Sequence, residues 1–189
     1  MRMPADAEQP ALPEGTFDRA MHAHLEVTEQ RIRRLYVRPR ALFAEAIVAA
    51  LVDGTLVEFP AAAWDVEMPL PRRRRPVRIQ VKCSGERAPQ SPDKLRPADW
   101  GRLRAPKSAK DSEFRVLAAG FNCDVFVFAR HEGIDITRGW HFHVLPQRTV
   151  KRAVAVSPTF DLRRLEQLHA VRCEPSALKK RITDAVSGG

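Results

Sequence analysis

The run Val77-Arg78-Ile79-Gln80-Val81-Lys82 alternates apolar and polar residues without a break. A period of two sets Val77, Ile79 and Val81 on one face of an extended chain and Arg78, Gln80 and Lys82 on the other. That is the pattern of a strand buried on one side only. Upstream, residues 61–66 read as a shorter strand in which Asp65 sits between apolar Trp64 and Val66. Arg72, Arg73, Arg74 and Arg75 fill the connection, and Pro69, Pro71 and Pro76 keep it out of both strands. Paired as a hairpin, the two strands bring Asp65, Gln80 and Lys82 onto one face beside four arginines. An acid, an amide oxygen and an ammonium so placed suit work on a phosphodiester. The same pattern also describes an amphipathic hairpin with a solvated polar face.

Charge bears on that choice. The 189 residues carry 32 lysines and arginines against 23 aspartates and glutamates, a net charge of +9 that favours a polyanionic partner, of which nucleic acid is the usual one. Clustering sharpens the point, because Arg31, Arg33, Arg34, Arg38 and Arg40 lie close together as well. Charge alone also fits a basic globular protein with no nucleic-acid role. No apolar run approaches a membrane span and the N-terminus lacks a signal pattern, so a cytoplasmic protein without membrane association is expected. Cys83, Cys123 and Cys173 are widely spaced, with no C-x-x-C pair, which argues against a disulfide framework or a zinc knuckle.

Residues 1–15 are expected to be a disordered or loosely attached arm, and 16–189 a single domain. Helical spacing from Phe17 to about Arg34 predicts an amphipathic helix. Pro39 opens a second helix, apolar on every side except at Glu45 and stopped by Asp53-Gly54. A lone carboxylate in such a helix needs a partner, a metal or the rim of the core. Proximity to the helix N-terminus is an equally good reason for it.

Residues 56–59 read as a short strand. Residues 85–112 form a long connection, and a helix is expected over about 112–119. Residues 123–129 and 139–145 read as buried strands of a hairpin, the second stopped by Pro146. His141 and His143 share a face, which permits a metal clamp; without a third ligand, an exposed or satisfied pair on an edge strand fits better. Helices over 159–171 and 175–186 complete the chain, and no G-x-S-x-G, clustered G-x-G or HExxH pattern competes.

The order of these elements, with Glu45 in the first helix, Asp65 on a strand and Gln80-x-Lys82 on the next, resembles the PD-(D/E)xK nuclease superfamily. The closest likeness is to small members reading Ile-Gln-Val-Lys, over residues 40–146. The resemblance implies an α/β fold of restriction-endonuclease type, a mixed central β-sheet flanked by helices, with extra N- and C-terminal helices (159–187 at the C-terminus). It implies an endonuclease hydrolysing DNA with Mg²⁺ or Mn²⁺. Asp65 would be the central metal ligand, with Gln80 and Glu45 completing the set, and Lys82 would orient or deprotonate the attacking water. Arg72, Arg73, Arg74, Arg75 and Ser84 would meet the nucleic acid. Cutting both strands would need a homodimer or repeated nicking. Gln80 stands where the family more often has an acid, and Glu67 shares a face with Asp65 and is a substitute carboxylate. The other reading is a nuclease-like fold without catalysis, serving as a nucleic-acid-binding or interaction module.

Overall fold

The computed structural model describes residues 11–32, 39–57, 63–71, 73–85, 120–132, 137–155 and 162–188. Two helices come first, α1 (Thr16–Ile32) and α2 (Pro39–Val52). Three strands follow: β1 (Thr55–Leu56), β2 (Val66–Met68) and β3 (Val77–Gly85). After the described residues resume, β4 (Val125–His131) and β5 (Trp140–Pro146) lead into α3 (Gln147–Val154) and α4 (Leu162–Gln167). The chain closes with β6 (Arg172–Cys173), a 3₁₀ turn at Pro175–Ala177 and α5 (Leu178–Ser187).

All six strands join one mixed sheet in the order β1-β2-β3-β4-β5-β6. Every neighbouring pair is antiparallel except β3 and β4, which run parallel with Gln80 opposite Phe126 and Lys82 opposite Phe128. The predicted α/β class, with a mixed sheet between helices, is therefore present. No helix among the described residues is long and apolar enough to cross a membrane.

Alternation assigns the two faces. Val77, Ile79 and Val81 point with Val125, Val127 and Ala129 into a core closed by α2, Ala20 of α1, and Leu178 and Ile182 of α5. The opposite face carries Phe126, Phe128 and Leu145 beneath Val150, Ala153 and Val154 of α3 and Leu165 of α4. Strand β4 is apolar on both faces because helices cover both. Strand β3 is apolar on one face only, so Arg78, Gln80 and Lys82 line the same side as α3.

Several boundaries differ from the expectations, each for a local reason. The strand expected over 61–66 is β2, which begins at Val66, and the one expected over 56–59 is the two-residue β1; residues 58–62 lie outside the described residues. Of the arm expected over 1–15 to be disordered or loosely attached, residues 1–10 lie outside the described residues, while Ala11 bridges Arg138 and Leu12 donates to the Thr137 carbonyl and packs on the core. Helix α2 ends as expected, yet Asp53 takes the left-handed conformation (φ 52°) while the Gly54 N–H returns to the Ala49 carbonyl. Gly54 is needed for space, since a Cβ there would lie 2.9 Å from the Glu67 carbonyl oxygen.

The helix expected over 159–171 is shorter. His169 (φ 54°) follows α4, its N–H reaching the Glu166 carbonyl while the Ala170 N–H reaches Leu165, a Schellman stop made without glycine. Pro146 does not merely end β5; it caps α3, a helix absent from the sequence reading. The other missed element, β6, pairs outside β5, so His141 and His143 do not lie on an edge strand. The expected helix over 112–119 lies outside the described residues.

Candidate functional site

Asp65 stands one residue before β2, at a bend that the backbone ladder still holds. Its N–H donates to the Ile79 carbonyl at 2.9 Å and its own carbonyl accepts from the Val57 N–H at 2.9 Å. Beyond this point the side chain takes over from the strand. Asp65 Oδ2 accepts the backbone N–H of Val81 at 2.6 Å and the side-chain amide of Gln80. Two N–H donors on one carboxylate oxygen complement its charge. The predicted grouping of Asp65 with Gln80 is thus present, with the amide nitrogen of Gln80 facing the acid.

Lys82 follows Gln80 on the same face of β3, half-buried, opposite Phe128. Cys123, just before β4, senses both charges. Burial pushes its thiol far up, the Asp65 carboxylate adds to that shift, and the Lys82 ammonium opposes it. The structure therefore brings Asp65 and Gln80 into contact and sets Lys82 one step further along the same face of β3. Cys123 was not singled out in the sequence, where nothing local marks it.

Glu45 is half-exposed on α2, the helix packed on the opposite face of the sheet. It is linked to the group by element order and not by a shared face. Glu67, the substitute carboxylate, accepts the Trp64 indole N–H at 2.9 Å. Ser84 pairs with Arg130 in the parallel ladder.

The arginine run divides. Arg72 lies outside the described residues. Arg75 reaches Asp124 Oδ1 at 2.9 Å and Arg73 reaches the same atom at 3.6 Å, while Asp124 Oδ2 accepts the Arg78 backbone N–H at 2.9 Å. Asp124 thus ties the turn before β3 to the start of β4, and its own carbonyl accepts the Gln147 N–H that opens α3. Arg74 is exposed. The run serves as a brace in part, a role hidden by the 49 residues separating Arg75 from Asp124.

The histidine pair, expected to be exposed or satisfied, is buried on β5, where the ladder sets His143 across Phe128 from Lys82 on the same face of the sheet. His141 is enclosed by Glu132 at 3.2 Å, Glu174 at 3.6 Å and Arg172 at 2.8 Å. Among the described residues the buried Nδ1 of His143 has no hydrogen-bond partner. Burial, reinforced by Arg172, Arg130 and His141, lowers its pKa to about 4. Among the described residues no group of three or more His, Cys, Asp or Glu side chains is placed to hold a metal ion.

A single carboxylate beside an amide still offers neighbouring oxygen donors. Mg²⁺ commonly binds one or two carboxylates, keeps several waters and takes further oxygens from substrate phosphates. Asp65 fits that chemistry, and Gln80 does so only with its amide turned to present the oxygen in place of the N–H that now faces Asp65. The result is an open and weakly charged site. The chain matches no protein-family model and no curated protein.

Proposed function

We propose that this protein is a nuclease that hydrolyses phosphodiester bonds in DNA, with a restriction-endonuclease-like core spanning α2 to β5. The supporting observation is the contact of Gln80 and the Val81 N–H with Asp65, with Lys82 next along the same face. The order helix, three antiparallel strands, then a fourth strand parallel to the third agrees with this reading.

In this account Asp65 and Gln80 would hold Mg²⁺ or Mn²⁺. The metal would supply Lewis-acid polarisation of the phosphate and a more acidic bound water. The chain's residues supply positioning and charge. The Val81 N–H and the Gln80 amide fix the rotamer of Asp65. The Lys82 ammonium orients the attacking water and offsets negative charge developing on the phosphate oxygens. Phe126 and Phe128 close the floor beside Lys82 and exclude water from that side. Arg74, Ser84 and the Arg72–Arg75 turn would meet backbone phosphates, which sets affinity and not sequence. A homodimer would align two such sites for double-strand cutting.

One observation favours a second reading. Gln80 faces Asp65 with a donor, and one carboxylate oxygen already takes both that amide and the Val81 N–H, which suits a non-catalytic nucleic-acid-binding module. Incubation of the protein, Asp65→Ala and Lys82→Ala with supercoiled plasmid and single-stranded DNA, in Mg²⁺, Mn²⁺ or EDTA, separates the two. Metal-dependent nicking lost in both variants supports the nuclease. Nicking that persists in both places the chemistry elsewhere, and binding without cutting in all three selects the module.

A further inference from the structure

The Arg78 side chain stands on the polar stripe of β3 with Gln80 and Lys82. Its guanidinium carbon lies 3.9 Å from the centroid of the Trp64 ring. Trp64 is wholly buried and its indole N–H is held by Glu67 at 2.9 Å, so the platform beneath the cation is rigid. The backbone N–H of Arg78 is fixed by Asp124. Among the described residues, Glu67, the cross-strand neighbour of Arg78, spends its bond on the indole and forms no ion pair with the arginine.

A ring contact uses the face of the delocalised cation and leaves the N–H donors at its rim. A guanidinium held this way has lost most of its rotamer freedom before any ligand arrives, so a contact to a phosphate costs less ordering. Alternate residues on a strand are roughly 7 Å apart, which sets Arg78 one step behind Gln80 and two behind Lys82 along one line. We propose that Arg78, preset by Trp64, is a phosphate-binding residue that holds the nucleic-acid backbone one step upstream of the Asp65–Gln80–Lys82 group. This rests on the nuclease reading for its ligand and extends it with a residue and a direction for the strand.

The test is binding of labelled duplex and single-stranded oligonucleotides in EDTA across a salt titration, for the unaltered protein, Arg78→Met and Arg78→Lys. Thermal melts confirm that each is folded. Loss of one phosphate contact lowers the slope of log K against log salt by about 0.9 for duplex or about 0.7 for single strands. Arg78→Met is expected to show that change with about tenfold weaker binding at low salt. Arg78→Lys is expected to keep the slope and bind more weakly, since it retains the charge without the planar fork. A purely structural arginine would move the melting temperature and leave the slope alone. Unchanged affinity and slope in Arg78→Met overturns the inference, and metal-dependent cleavage by the unaltered protein then leaves the nuclease reading standing. If Arg78→Met does not fold, Arg78→Lys binding as tightly as the unaltered protein overturns it instead. An unaltered protein that neither binds nor cleaves overturns both.

Discussion

The Val81 backbone N–H meets the Asp65 carboxylate at 2.6 Å, so a side chain completes the ladder where strand β2 has not yet begun. The residue assigned to chemistry therefore also closes the sheet. Asp65→Ala is expected to leave the Val81 donor without its acceptor at a cost of about 1–3 kcal/mol in stability. Asp65→Asn, which keeps one acceptor oxygen, is expected to recover part of that. Chemical denaturation midpoints of the two variants provide the check, and equal stability of Asp65→Ala and the unaltered protein would count against the contact.

Asp124 restrains Arg73 and Arg75, two cations expected to meet phosphate. Replacing it by asparagine keeps an acceptor for the Arg78 N–H and removes the competing charge. Asp124→Asn is expected to bind nucleic acid several-fold more tightly at low salt, since a neighbouring anion no longer engages the guanidinium groups. A fluorescence-anisotropy titration measures it, and weaker binding would show that the brace orients these arginines for the ligand.

These two relationships mark where the sequence was legible and where it was not. The alternation of Val77–Lys82 and the apolar run of α2 were visible because periodicity reports burial directly. The pairing of Asp65 with Gln80 followed from hairpin register. The Asp124 brace was not visible, since its partners are distant in the chain and a charge pair leaves no periodic trace. Strand β6 spans two residues and α3 eight, too short for either period to declare itself. Pro146 read as a stop because a proline that ends a strand and one that opens a helix look alike in sequence. The burial of His141 and His143 depended on β6 and was missed with it.

His143 makes the fold acid-sensitive. Its pKa is lowered to about 4 in the folded chain, against the ordinary value of 6.5. Between those values the unfolded chain binds a proton that the folded chain refuses, so stability falls as pH drops below about 6.5 and the loss is complete near 4. The contribution is fully present above 6.5. Thermal midpoints from pH 8 to pH 4 are expected to decline less steeply in His143→Gln than in the unaltered protein. Identical declines would show that other groups, such as His141 with Glu132, Glu174 and Arg172, carry the effect.

Gly54 lies against β2. A Cβ there would stand 2.9 Å from both the Glu67 carbonyl oxygen and Val66 Cγ1, and 3.1 Å from Val52 Cγ2. Backbone cannot give way as a flexible side chain does, so Gly54→Ala is expected to cost about 1–3 kcal/mol through overpacking. Because Val66 adjoins Asp65, the same variant is expected to weaken the candidate site. Differential scanning calorimetry reads the first effect; a raised melting temperature would refute the close approach.

The central claim is that Lys82 acts beside Asp65 in hydrolysis. The most direct measurement is the single-turnover rate of DNA cleavage with Mn²⁺ for the unaltered protein and Lys82→Ala, each shown by its melting temperature to be folded. The account predicts metal-dependent cleavage by the first and a rate lower by about 10² or more in the second. Cleavage by Lys82→Ala at the unaltered rate would contradict it.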